Sequence, residues 1–159
     1  MKKKILALIA AAVVCASFTG CGGDNGSGSA AVSTAASPQS KTAALKEAVT
    51  LPEMVEVKAE QLGDRYGIDG GDVTEFSAFV CGSGAMPDEF GVFNAKDADA
   101  AKRVSEALTK RIENQTKTYK DYTPAEAYKL EDSFVETNGT TVSYAICADN
   151  SKARELLTH

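Results

Sequence analysis

The chain has 159 residues and a formal net charge of −5, with 22 acidic residues against 17 lysines and arginines. Such an acidic chain, with no basic cluster in its main body, argues against nucleic acid as a partner and against adsorption to an anionic membrane surface. The single histidine, His159, and the lack of His and Cys clusters argue against a histidine-based catalytic pair and a zinc site. We therefore expect no catalytic residue, no metal, no cofactor and no enzyme activity.

The first segment, residues 1–20, has the layout of a secretory signal peptide. Three lysines at positions 2–4 precede the apolar run 5–14, and the stretch from Ile5 to Gly20 is uncharged. That stretch is shorter than the roughly 20 residues that a membrane-spanning helix needs. The sequence therefore predicts export rather than a transmembrane anchor.

The end of this segment predicts the type of signal. Phe18-Thr19-Gly20-Cys21 resembles the lipobox of bacterial lipoproteins, in which an apolar residue and small residues precede a cysteine. The resemblance implies that Cys21 carries a diacylglyceryl group and becomes the first residue of the mature protein. Two acyl chains anchor a protein stably to a membrane, whereas one chain holds it only marginally. We expect a lipid-anchored protein on the extracytoplasmic face of the cell membrane; the alternative is an ordinary cleaved signal with a chance cysteine.

Residues 21–44 are rich in Gly, Ser and Ala and hold hardly any large apolar side chain. Such a composition cannot bury enough surface to offset the entropy of ordering the chain, and it is typical of a flexible tether. The segment 45–159 then has the length of one ordinary domain.

The domain is predicted to begin with a helix over residues 51–66. Val55, Ala59, Leu62 and Tyr66 share one helical face, and Gly67 ends the helix. Two strands follow, over residues 73–81 and 89–95, joined by a Gly-rich loop without the lysine of a phosphate-binding loop. Asp97 opens a long amphipathic helix, whose periodic face continues to Tyr119.

The remaining elements are predicted from local signals. Thr123 to Glu126, "TPAE", is typical of a capping box and predicts a short helix to about Lys129. Asn138-Gly139 predicts the turn of a second hairpin, and Asp149 or Asn150 caps a terminal helix. The fold class is therefore α+β: an N-terminal helix followed by two ββα blocks. Their four strands form an antiparallel sheet, with the helices covering one face.

Two cysteines remain in the domain, Cys81 and Cys147, each at the end of a predicted strand. An extracytoplasmic compartment permits a disulfide between them, which could join the two ββα blocks. The alternative is two free thiols that pack as small hydrophobic side chains. The sequence leaves both open, because it does not give the distance between the two Cα atoms.

Short motifs along the domain resemble a known family. These are the run 86–97, "MPDEFGVFNAKD", the spacing of Arg111 and Gln115, and Tyr122-Thr123-Pro124. They resemble the lipoproteins of Gram-positive bacteria grouped as domain of unknown function 4358, over residues 51–157. The resemblance implies a small α+β lipoprotein domain and no particular activity.

The function expected from these features is that of a non-catalytic binding or presentation module. Its partner would be a small ligand or an envelope protein, besides the membrane itself through Cys21. Tyr119, Tyr122 and Tyr128 are candidates for an interaction surface, since tyrosine combines contact area with a polar tip. The alternative is an accessory or structural subunit of a cell-envelope complex.

Overall fold

The computed structural model describes residues 36–159, so the predicted signal peptide, Cys21 and most of the predicted tether lie outside the described residues. In chain order its main elements are α1 (Pro38–Ala48), β1 (Met54–Glu56), α2 (Leu62–Tyr66), β2 (Val73–Cys81), β3 (Glu89–Ala95), α3 (Ala98–Tyr122), α4 (Tyr128–Glu131), β4 (Phe134–Asn138), β5 (Thr141–Ile146) and α5 (Asn150–Thr158). The α+β class and the two ββα blocks are confirmed.

The five strands form one antiparallel sheet in the order β1-β2-β3-β5-β4. Strand β3 is central, and Gly91 lies opposite Ala78 on one side and Tyr144 on the other. A Cβ at Gly91 would lie 2.8 Å from the Ala78 Cβ and 3.0 Å from the Ser77 carbonyl oxygen. Only glycine therefore lets β2 and β3 approach this closely.

Helices cover both faces of the sheet, not one face as predicted. On one face α2 and α3 pack against Phe93 and Tyr144; on the other, α1 and α5 pack against Phe90 and Ala145. The reason is visible in β3, where consecutive side chains point to opposite faces and are apolar on both. A strand with two apolar faces needs a helical layer on each side.

The first predicted helix is wrong over most of its length. Instead of one helix over residues 51–66, the chain forms β1, a short 3-10 turn and the five-residue α2. Val55 lies opposite Val80, so β1 extends the sheet at the edge of β2. Hydrogen bonding along that edge outweighs a helical periodicity that only a few apolar residues carried. The predicted end is correct, because Gly67 adopts a left-handed conformation with φ of 73°.

The predicted tether also ends too late, because α1 begins at Pro38. Ser37 caps the helix, and the Thr42 hydroxyl lies 2.7 Å from the Ser77 hydroxyl in β2. Lys41 donates through Nζ to the Leu157 carbonyl of α5 at 3.1 Å. An Ala- and Ser-rich composition does not distinguish a tether from a helix, since alanine is also the best helix former.

Local capping signals were correct at two helices and wrong at a third. Asp97 caps α3 by accepting from the Ala100 N–H at 2.7 Å, and Asp149 caps α5 through the Lys152 N–H at 2.9 Å. Thr123 makes no capping hydrogen bond, and a 3-10 turn precedes α4 in place of one short helix.

Candidate functional site

A buried ion pair joins the sheet to α3. Glu89 is the first residue of β3, is 1 % exposed and faces α3. Arg111 donates to it from Nε at 3.1 and 3.3 Å and from Nη2 at 2.9 Å. Both guanidinium contacts therefore fall on one carboxylate, which is the geometry that makes arginine–carboxylate pairs directional.

The environment acts on Glu89 in opposing ways. Burial raises the pKa of its carboxyl group, and the Arg111 and Gln115 side chains lower it, with a net rise. For Arg111, burial lowers the pKa and Glu89 raises it, again with a net rise. The carboxylate thus depends on Arg111 to remain charged in a site that otherwise favours its neutral form.

Two tyrosines lie beneath Arg111. The Tyr144 hydroxyl donates to the Tyr66 hydroxyl at 2.8 Å, and burial raises the pKa of both side chains. The Arg111 guanidinium carbon lies 5.7 Å from the centre of the Tyr66 ring. Glu89 holds two nitrogens of the guanidinium group, and the Tyr66 ring lies within cation–π range of it, so both contacts restrict its movement.

Above this pair, residues of α2 and α3 line an open groove of about 580 Å³. Its polar lining includes side chains of both charges: Asp64, Arg65, Arg103, Glu106, Lys110, Arg111 and Asn114. The Arg111 Nη1 donates to the Arg65 carbonyl at 3.4 Å, which ties the two helices across the floor of the groove. The Arg65 Nε is inaccessible to solvent and has no hydrogen-bond partner in the described structure.

One cation of the groove is already neutralised. Arg103 donates to both oxygens of Asp72 at 2.7 Å, and Lys96 contacts the same carboxylate at 2.9 Å. The hydrogen bonds from Arg103 and Lys96 hold the pKa of Asp72 well below its usual range. Within residues 36–159, by contrast, the structure records no ion pair for four other charged groove residues: Asp64, Arg65, Glu106 and Lys110.

A second buried ion pair involves Asp88, the residue before Glu89 in the chain, and a different cation. Lys129 of α4 contacts Asp88 at 2.7 Å and Glu126 at 2.7 Å. Burial lowers the pKa of Lys129, and the two carboxylates raise it by more. The Asn150 side chain donates to the Lys129 carbonyl at 2.7 Å. Asp88 and Glu89 therefore each hold a separate cation, and they do not form a shared acid–base pair.

Of the three predicted surface tyrosines, one is wrongly assigned. Tyr119 is buried, and its hydroxyl lies 2.8 Å from the Gly84 carbonyl and 2.9 Å from the Met86 carbonyl. It holds the loop between β2 and β3 against α3. Tyr122 and Tyr128 are 74 % and 52 % exposed and do lie on the surface.

The structure has both domain cysteines as free thiols. The disulfide that the sequence left open would have to span β3, which lies between β2, which ends in Cys81, and β5, which Cys147 follows. Two strand spacings amount to about 10 Å, beyond the Cα separation of roughly 7 Å that a disulfide allows. Cys147 is buried, and burial raises the pKa of its thiol to about 11.

Sequence reasoning missed Arg65 and Arg111 as a pair, because the two are far apart in the chain and meet only when α2 packs on α3. One sequence signal for this pair was present. Glu89 shares a face of its strand with apolar residues, and a buried carboxylate requires a cation from a facing element.

In the described residues, no group of three or more His, Cys, Asp and Glu side chains could hold a metal ion.

Comparison with known proteins assigns the chain to a family. The profile described as Domain of unknown function (DUF4358) matches residues 47–147, which include α2, the central sheet and α3. Neither the comparison with curated proteins nor that with solved structures gave a match.

Proposed function

The chain belongs to the DUF4358 family, and we propose that it is a lipid-anchored, non-catalytic binding module on the extracytoplasmic face of the cell membrane. The groove between α2 and α3 is the proposed binding site. The observation that carries the proposal is the set of charged side chains that line this groove without an ion partner among residues 36–159.

The anchor is supported by the sequence of residues 1–21. Lysines, a short apolar run and Phe18-Thr19-Gly20-Cys21 form the order expected of a lipoprotein signal. No helix within residues 36–159 is long and apolar enough to cross a membrane. A diacylglyceryl group on Cys21 would supply the two acyl chains needed for stable attachment.

Binding is favoured over catalysis by how the acidic residues are used. The most buried carboxylates, Asp88 and Glu89, each hold a cation at hydrogen-bond distance. Neither is therefore positioned as a free general base. The unpaired groove residues, by contrast, have donors and acceptors that a polar ligand can satisfy, and pockets of this size accept small molecules.

A site-specific cross-linking experiment tests the groove as the binding site. A photoreactive amino acid replaces Asn114, which lines the groove, and in a matched variant replaces Lys102, an exposed residue of α3 outside it. After irradiation of intact cells, adducts are expected from position 114 and not from position 102. Equal labelling at both positions, or none at either, contradicts the proposed site.

The second candidate, an accessory subunit of an envelope complex, is favoured by one observation. Tyr122 and Tyr128 are large exposed side chains near the end of α3 and in α4, and exposed tyrosines are enriched at protein interfaces. A photoreactive residue at Tyr128 distinguishes the two functions: a single dominant protein adduct there, with none at Asn114, favours the subunit.

A further inference from the structure

We propose that the groove between α2 and α3 binds an oxyanion, a carboxylate or phosphate group, through the side chains of Arg65 and Arg111. The inference rests on the proposed function and names the ligand class of that same groove. It depends on the donors that the two guanidinium groups leave unused.

Arg65 supplies the first set of donors. Its Nε is inaccessible to solvent and makes no hydrogen bond in the described structure, and none of its side-chain nitrogens is recorded as donating. A charged donor that is removed from water without a partner is costly, because it loses its hydration and gains nothing in exchange. The terminal nitrogens of the same guanidinium group, likewise without a recorded acceptor among residues 36–159, are the donors available to a ligand in the groove.

Arg111 supplies the second set. It donates to Glu89 from Nε and Nη2 and to the Arg65 carbonyl from Nη1. Each terminal nitrogen carries a second N–H for which the structure records no acceptor among residues 36–159. Because Glu89 already holds the guanidinium group and the Tyr66 ring lies near it, little side-chain entropy is lost when those N–H groups meet a ligand.

The charges around the groove limit the ligand. Planar guanidinium groups match the oxygens of carboxylate and phosphate in bidentate geometry, and Lys110 adds a third cation to the lining. Asp64 and Glu106 line the same groove and would repel further negative charge. The geometry therefore fits one oxyanion group on an otherwise polar molecule, and it disfavours a polyanion such as nucleic acid.

The test is an NMR titration of the full lipidated protein in detergent micelles, at constant ionic strength. Sodium phosphate and sodium acetate are the probes, and the amide signals of Gly63, Gly67 and Asn114 report on the groove. We expect saturable shifts with at least one anion. R65Q should weaken that binding about tenfold through loss of its charge-assisted hydrogen bonds, while K102Q, at an exposed position of α3 that does not line the groove, should change it less than twofold.

Comparing the two anions shows whether the natural ligand carries a phosphate or a carboxylate group. Tighter binding of phosphate indicates a phosphate-bearing ligand, and tighter binding of acetate a carboxylate. R65K keeps the charge and loses the planar fork, so intermediate binding in R65K confirms bidentate recognition. If both anions give linear, unsaturated shifts, or if R65Q binds as the unmodified protein does, the oxyanion site is wrong. Cross-links from Asn114 in that case leave the binding module standing; without them, both proposals fail.

Discussion

Replacement of Arg111 by methionine tests the idea that the buried Glu89 depends on its partner. Methionine approximates the aliphatic part of the arginine side chain and removes the guanidinium donors that lie within 3.3 Å of the Glu89 carboxylate. Removal of one partner of a buried pair costs about 3–5 kcal/mol of unfolding free energy, because the other charge stays buried and unpaired. At roughly 4 °C per kcal/mol for a domain of this size, the melting temperature should fall by about 12–20 °C.

The pH dependence of this loss has a definite sign. Burial already raises the pKa of Glu89 above its value in the unfolded chain, and without Arg111 it should rise further. A carboxyl group whose pKa is raised on folding stabilises the fold below its unfolded pKa and loses that contribution as the pH rises through its folded value. The difference between variant and wild type should therefore be larger at pH 8 than at pH 5.

Urea denaturation at the two pH values measures this difference directly. R111M combined with E89Q should recover part of the loss at pH 8, since a neutral amide replaces the unpaired charge. The control is K110M, an exposed neighbour on the same helix, which should change the unfolding free energy by less than about 0.5 kcal/mol. A loss that is equal at both pH values, or that E89Q does not reduce, would refute the dependence on Arg111.

Three further predictions concern close packing, thiol reactivity and anchoring. Gly91→Ala should destabilise the domain by about 1–3 kcal/mol in urea denaturation, because its Cβ would contact the neighbouring strand at 2.8 Å; Gly63→Ala, with nothing within 4 Å, is the control, and equal losses would contradict the packing argument. Iodoacetamide at pH 8 should modify Cys81 in the native protein and leave the buried Cys147 until the protein unfolds, as peptide mass mapping would report; a disulfide-linked peptide pair from non-reduced protein would exclude two free thiols. Cys21→Ser should abolish labelling by radioactive palmitate and release the protein or leave an unprocessed precursor, whereas a wild-type N-terminus downstream of Cys21 without lipid mass would exclude the anchor.

Elements that depend on neighbouring residues could be predicted from the sequence. The bounds of β2 and β3 agree with the predicted strands, and the Asp97 cap lies where the sequence placed it. The second hairpin also forms, but its turn is Gly139-Thr140, one residue later than the predicted Asn138-Gly139. In each case the signal and the structure lie within a few residues of each other. Capping hydrogen bonds, the turn glycine and the alternation of side chains act over that same range.

Contacts between distant residues decided the rest. Residues 51–57 have a weak helical pattern, yet Met54–Glu56 pair with the edge of β2 and form strand β1. Tyr119 follows the apolar face of α3 in sequence, but only the loop carbonyls of Gly84 and Met86 explain where its hydroxyl lies. Partners of this kind are set by the packing of whole elements, which local pattern does not encode.

For the candidate site, too, the sequence predicted some features and the tertiary structure decided the others. The sequence by itself determined the α+β class, the two ββα blocks and the acidic residue that opens β3. Only the tertiary structure brought Arg111 onto Glu89 and the Arg65 carbonyl, across 22 and 46 residues of chain. The physical reason is that burial of a carboxylate demands a cation without specifying which one, and the packing of α2 and α3 on the sheet makes that choice.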